Sequence, residues 1–384
     1  MIRKVPIVAC PINISDIFSS IKNPKDKLKD VLKDLFNLRF VYLFNSATSS
    51  FYSILEALKK IDKRDSIILP AYTASSLVFA IKKAKLKVIL CDINLEDFNL
   101  DKDYLKNIIS SSTLGIVGVH MFGIVEKALL ELKDKYPDIF IIEDCAQSFG
   151  SRIKNRLVGS LGDVSFFSFN RGKNIPAYGG GVLLTDNEII AKNINIIDKS
   201  NRIEFFSILK LIGLFFAGNP YFYGVFFKFL SRFKNKMPPS DFLLDVISNT
   251  EARIIIRLLD RLNYLSRKRY ENAMFLYNNL SSCDKIKLPK IDKDTMPAFN
   301  RLPILIKDLK LLEVLEKKLF KEGIETSRMY LKPLHHIFDL GYKKEDFKNA
   351  NYFALHLLTL PVHPLLLEED LFKIVEVIKK YNDS

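Results

Sequence analysis

Cysteine is scarce and scattered in this 384-residue chain: Cys10, Cys91, Cys145 and Cys283 lie far apart and form no CxxC pair. That spacing gives no disulfide framework and no cysteine zinc site, and it fits a reducing, cytoplasmic setting. Histidine offers no metal site either, because His336, His356 and His363 are scattered and not at ligand spacing; no metal is expected. The stretch MIRKVPIVACPINISD has too short an apolar run before Pro11 for a signal peptide. No internal repeat and no low-complexity linker interrupts the text. The longest uncharged run, residues 211–227, carries Asn219-Pro220 at its middle. It barely reaches the length of about 17–25 residues that spans a bilayer, and its proline would leave backbone groups unpaired in hydrocarbon. A single transmembrane helix is therefore not expected there. The readings left are a helical pair packed on the protein's own core, a lid over a site, or an interfacial hairpin giving peripheral contact with the inner face of a membrane through residues 205–236.

The chain has ample apolar residues and cations. Hydrophobic residues make up 48% and charged ones 27%, the profile of a globular protein. Lysine and arginine outnumber acids 58 to 44, a net charge of +14. No RNP, zinc-finger or helix-turn-helix signature accompanies that surplus, so nucleic acid is not an expected partner; much of the excess reads as generic surface charge, with phosphate-bearing ligands the next reading. From residue 31 to about 190 helical patterns alternate with short apolar strands such as RFVYLF, SIILP, KVILC, LGIVGV and IFIIED. Continuous Val/Ile/Leu runs imply strands buried on both faces, hence a three-layer α/β fold on a mostly parallel sheet. The expected division is a large domain over 1–250, with a Phe-rich insertion at about 205–240, and a small α/β domain over 251–384. One long amphipathic helix from Asn249 to Leu280 is expected to open the small domain.

Ligands of such sheets bind beyond the carboxyl ends of the strands. Three strand ends carry polar residues there. Asn45-Ser46-Ala47-Thr48-Ser49-Ser50 is a small hydroxylated turn into a helix, either an ordinary N-cap or a seat for phosphate. Glu143-Asp144 closes IFIIEDC as a cap, a metal ligand or the partner of a cationic ligand atom. Lys173 follows SFFSFNRG and precedes Tyr178-Gly179-Gly180-Gly181. A lysine flanked by apolar strands is a candidate for a depressed pKa, and a neutral amine is what Schiff-base chemistry needs. His120, at another strand end, is expected to be a structural contact.

Read together, DSIILPAYTASS, CDINLEDFNLD, IIEDCAQSFGSRIKNRLVGSLGDVSFFSFNRGKN, SNTEARIIIRLLDRL, LKPLHHIF and LLTLPVHPLL resemble the DegT/DnrJ/EryC1/StrS sugar aminotransferases, of the aspartate-aminotransferase fold. The resemblance implies pyridoxal 5'-phosphate (PLP) carried as a Schiff base on Lys173, with Asp144 opposite the pyridine nitrogen. It implies further cofactor contacts from Gln147, Ser168, Ala47 and Thr48, and His335 on the substrate side. It also implies a homodimer that moves an amino group from glutamate or glutamine to a keto-sugar nucleotide, for cell-surface polysaccharide or glycolipid synthesis. The chain departs from the pattern at several positions. Ala74 stands where the family places a ring-stacking aromatic, which leaves Tyr72 or Phe122 as substitutes. Gly179 replaces the glutamate of "GEGG", and Leu244 the asparagine that reaches the neighbouring subunit's cofactor. Two alternatives follow: a lipid-linked or hydrophobic keto substrate, or a non-catalytic regulatory relative.

Overall fold

Apolar runs become strands because both their faces find cover. The computed structural model describes residues 3–9, 11–196, 204–220, 223–224, 242 and 244–382. Its main sheet is built from β1 (Phe40–Phe44), β2 (Ser66–Pro70), β3 (Lys87–Cys91), β4 (Thr113–Val119) and β5 (Phe140–Asp144), and, beyond the short hairpin β6 (Arg152–Ile153) and β7 (Arg156–Leu157), from β8 (Val164–Ser168) and β9 (Gly181–Thr185). The strand order is β1-β9-β8-β5-β4-β2-β3, and β9 alone runs antiparallel to the rest. This matches the mostly parallel α/β sheet expected from the sequence.

Alternate residues on each strand enter different buried clusters. Phe166 and Leu183 join Phe51 and Ile54 of the helix Ala47–Ile61. Phe167 and Val182 join Leu28, Leu32 and Phe36 of the helix Pro24–Phe36 on the opposite face. The Phe51–Phe166 and Phe36–Phe167 ring pairs, each with centroids 5.1 Å apart, mark the two layers. Each such side chain contributes about 1.5–3 kcal/mol by leaving water. Sandwiched this way, the sheet can expose its polar residues only at strand ends.

The C-terminal part has its own antiparallel sheet of β10 (Ile286–Lys287), β12 (Leu302–Ile306) and β13 (Leu357–Leu360), while β11 (Thr295–Met296) pairs with β6. Leu312 and Leu315 of the helix Leu309–Lys321 and Ile374 and Ile378 of the helix Glu368–Asn382 cover it.

The long helix expected over residues 249–280 is two helices, Asn249–Leu259 and Leu262–Leu280. Arg261 leaves helical geometry (φ −109°, ψ 10°) and ion-pairs with Asp16 at 2.5 Å. The first helix buries Ile254, Ile255 and Leu258 in the cluster of the helix Pro24–Phe36. The second sends Ala273, Leu276 and Leu280 into the cluster that holds the C-terminal sheet. Leu262 and Leu265 at its start still pack in the first cluster, so the break at Asp260-Arg261 comes before the apolar face changes partners.

Within the Phe-rich stretch, the helix Glu204–Gly218 buries Leu211 in the core and lays Ile208, Ile212 and Phe215 against it. Among the described residues, no helix is long and apolar enough to cross a membrane. Residues 225–241, with Phe226, Phe227, Lys228, Lys234 and Lys236, lie outside the described part.

Candidate active site

Four neighbouring strand ends build the site. β5 stops at Asp144, and β8 stops at Ser168, next to it in the sheet. The connection from β8 to β9 loops through Lys173, held by Lys173 N–H to Asn170 (3.3 Å) and Ala177 N–H to the Phe169 carbonyl (2.6 Å). β9 begins at Gly181, opposite Ser168 on one side and Phe44 of β1 on the other. The turn after β1 thereby lies beside the loop that carries the lysine.

Among the described residues, the Lys173 amine makes no hydrogen bond and no ion pair. Burial pushes it down to about 8; Asp144 raises it and Arg301 lowers it further. Asp144 is itself pushed up by burial, then drawn back by the Ala146 N–H (2.9 Å), Lys173 and His120. A neutral amine and a buried carboxylate, each sensing the other, are what the lysine and acid assignments require.

The turn after β1 opens a helix N-terminus. Ser46 caps Ala47–Ile61 by accepting from Ser49 N–H at 3.1 Å, and its hydroxyl lies 2.8 Å from that of Ser49. The backbone at Ser46-Ala47 presses directly on Gly181. A Cβ there would stand 2.3 Å from the Ser46 carbonyl carbon and 2.5 Å from Ala47 N, so only glycine permits this approach. Thr48 and Ala47 are half-buried at the helix start, while Ser168 lies buried one strand away, accepting from Asn170 N–H at 3.4 Å. Gln147 is buried too, its Oε1 accepting from Phe122 N–H and from Asn300 Nδ2, both at 3.3 Å. These parts fit PLP: helix-end amides and hydroxyls for an anion, a carboxylate for a ring cation and a free amine for an aldehyde.

Tyr72 is buried with its hydroxyl oxygen accepting from Tyr330 N–H at 3.2 Å, and its ring packs edge-on against Phe353 at 4.8 Å. Phe122 is fully buried in the core with φ 59°. Both rings are therefore engaged in packing. His335 is also buried, and burial pushes its pKa down. Its ring lies between His336 (4.4 Å) and Phe347 (5.0 Å), and no described contact joins it to Lys173.

His120 holds the site from behind. Its Nδ1 accepts from Glu126 N–H (2.9 Å), which leaves Nε2 as the donor to Glu143 at 3.0 Å. Glu143 also accepts from the N–H groups of Gly159, Leu161 and Gly162 at 2.6–2.8 Å. Cys145 comes within 4.8 Å of the pair, but every nitrogen and oxygen of His120 and Glu143 is committed, so this trio is a hydrogen-bonded support. Burial would raise Glu143, yet His120 and the backbone donors hold it below the usual carboxylate range. Its stabilisation is thus present above the unfolded pKa and is lost as pH falls through the folded one. Glu143→Gln is expected to cost about 1–3 kcal/mol near neutrality in a urea titration, because its NH2 would face N–H donors, with the deficit shrinking in acid. A change below about 1 kcal/mol would show that this network carries little.

Two residues that the sequence did not flag also stand here. Arg301, at the entry to β12, and Tyr330 both sense one another, and Tyr330 senses Asp144. A cation opening an apolar strand in NRLPILI was the available signal for Arg301. A compensation is visible at Gly179. A Cβ on it would meet Glu251 Oε1 at 2.1 Å, so the carboxylate of the Ser248/Glu251 capping box fills that space.

The family profile described as the DegT/DnrJ/EryC1/StrS aminotransferase family matches residues 14–379, and the chain belongs to that family. It is 27% identical to an uncharacterized protein of Methanocaldococcus jannaschii, over 96% of this chain and 94% of that one. GDP-perosamine synthase of Escherichia coli O157:H7 is 25% identical, over 94% and 91%. A Streptococcus pneumoniae protein assigned as a sugar aminotransferase, solved in its PLP form, superposes with TM-score 0.77 at 20% identity, covering 99% of both chains. Helicobacter pylori PseC, an aminotransferase, superposes with TM-score 0.78 at 17% identity, over 99% and 100%. The protein is an aminotransferase, and the expectation of PLP as its cofactor holds.

Proposed function

We propose that this protein transfers the amino group of glutamate or glutamine to a keto carbon of a nucleotide sugar, acting as a homodimer. The observation that carries the amino-transfer chemistry is the unpaired Lys173 amine, held near 8 across from buried Asp144. PLP, when bound, supplies the electron sink. Lys173, once displaced by the donor's amine, would take the proton from the donor's Cα as general base and give it back as general acid. Asp144 would hold the cofactor's ring nitrogen in its protonated form. Ala47, Thr48 and Ser168 would hold its phosphate, and Gln147 would contact the cofactor from the side. The nucleotide-sugar assignment is supported by relatives named for such products, including dTDP-3-amino-3,6-dideoxy-alpha-D-galactopyranose transaminase of Aneurinibacillus thermoaerophilus, 25% identical over 83% of this chain.

The test begins with the protein reconstituted with PLP. A visible absorption band should form, fade on addition of glutamate or glutamine, and return with a keto-sugar nucleotide, whose aminated product mass spectrometry detects. A protein that gains no band, or whose band ignores every amino acid, overturns the reading and favours the regulatory alternative. Sedimentation of an active, stable monomer would overturn the homodimer.

A further inference from the structure

We infer that Arg301 binds the α-carboxylate of the amino donor and so sets the donor's amine against Lys173; the inference rests on the amino-transfer function proposed above. Arg301 opens β12 from the loop that also supplies Asn300 to Gln147. Protein surrounds it closely enough that burial lowers its pKa; Tyr330, Glu325 and Tyr72 partly restore it, and Arg171 lowers it further. Yet among the described residues its guanidinium makes no hydrogen bond and no ion pair, and its Nε is buried without a partner. A buried Nε–H without an acceptor is unfavourable, and an anion reaching the guanidinium from the cavity offsets that cost. Glu325, the acid whose charge acts on Arg301, is occupied: it accepts from the Tyr223 hydroxyl at 2.6 Å and from Ile7 N–H at 3.1 Å.

Position selects the anion. Arg301 Nη2 lies 3.8 Å from where a Cβ on Gly172, the residue before Lys173, would stand, and its charge is felt at the Lys173 amine. It lines a cavity of about 510 Å³ with Arg171, Gly172, Ser327, Arg328 and Tyr223. That volume suits a small-molecule ligand. In an amino acid, the carboxylate is attached to the carbon that bears the amine. A carboxylate held by Arg301 therefore brings the amine to the lysine. In a nucleotide sugar, at least part of the sugar ring separates the diphosphate from the keto carbon. The planar guanidinium fork also matches a carboxylate's two oxygens.

The test compares wild type, Arg301→Gln and Arg301→Lys, each loaded with PLP, by the fading of the visible band. The donors are glutamate and 4-aminobutyrate, which is glutamate without its α-carboxylate. Arg301→Gln should raise the glutamate concentration for half-maximal fading by about 10–150-fold. It should leave the response to 4-aminobutyrate unchanged, and Arg301→Lys should fall between. The melting temperature of Arg301→Gln should be unchanged or higher, because an unpartnered charge has been removed. Equal losses for both donors, or no loss for glutamate, overturn the assignment. So does a variant that needs more nucleotide sugar but no more glutamate, which would give Arg301 to the phosphate. A wild-type band that ignores all amino acids overturns the amino-transfer reading itself, an outcome separable from these because it precedes any substitution.

Discussion

Lys173→Arg is expected to leave a folded protein without measurable amino transfer, a loss of at least about 10²–10⁴-fold from the proton-transfer role alone. Arginine keeps the charge but cannot give up its proton, so it can neither attack an aldehyde nor act as a base. The wild-type amine, lowered to about 8 by burial, adds a second signature. Uptake of PLP by protein stripped of it should rise about tenfold per pH unit and level off near pH 8, where an exposed lysine would go on rising towards about 10.4. The unloaded folded state also binds fewer protons at this site than the unfolded chain between those two values. Its stability therefore gains with pH across that window, and Lys173→Met should flatten the gain. Stopped-flow uptake and urea titrations read both. Near-normal turnover in Lys173→Arg, or uptake that climbs past pH 9 without levelling, would remove Lys173 from the centre of the chemistry.

Asp144→Asn should cut amino transfer by about 10²–10³-fold while PLP stays bound. Asparagine can still accept the Ala146 N–H, so the end of β5 should hold and the melting temperature should move little. What disappears is the negative charge opposite the ring nitrogen. The same charge raises Lys173, so its removal should shift the levelling of PLP uptake to a pH below about 8. A merely structural aspartate would leave that midpoint in place. Unchanged transfer rates with glutamate in Asp144→Asn would sink the role.

The sheet was legible because its strands are apolar runs with polar ends, and both faces of Phe166-Phe167 or Val182-Leu183 had to be covered. Lys173 and Asp144 were legible for the same reason: each follows such a run, where the sandwich stops shielding the backbone. The break at Asp260-Arg261 was hidden because Leu258, Leu259, Leu262 and Leu265 keep a helical period across it. Periodicity registers which face is apolar and is blind to one residue, Arg261, whose backbone leaves helical geometry while its neighbours stay in the same cluster. Arg301 and Tyr330 were hidden for another reason. Arg301 acts on the lysine and Tyr330 on Asp144 across segments more than a hundred residues apart, and a lone arginine at a strand entry looks like an edge charge. Ala47 and Thr48 came through as a cap or a phosphate seat. The close contact with Gly181 that shapes them belongs to the sheet, which no local window contains.

Glu251 against Gly179 makes two distant positions a single unit of change. A side chain added at 179 collides with a carboxylate already seated there, and trimming Glu251 alone empties a buried space beside the glycine turn. Neither single step is neutral, so a larger residue at 179 is tolerated only with a shorter one at 251. A loop grafted in place of the glycine turn would need its partner on the helix Asn249–Leu259 to travel with it.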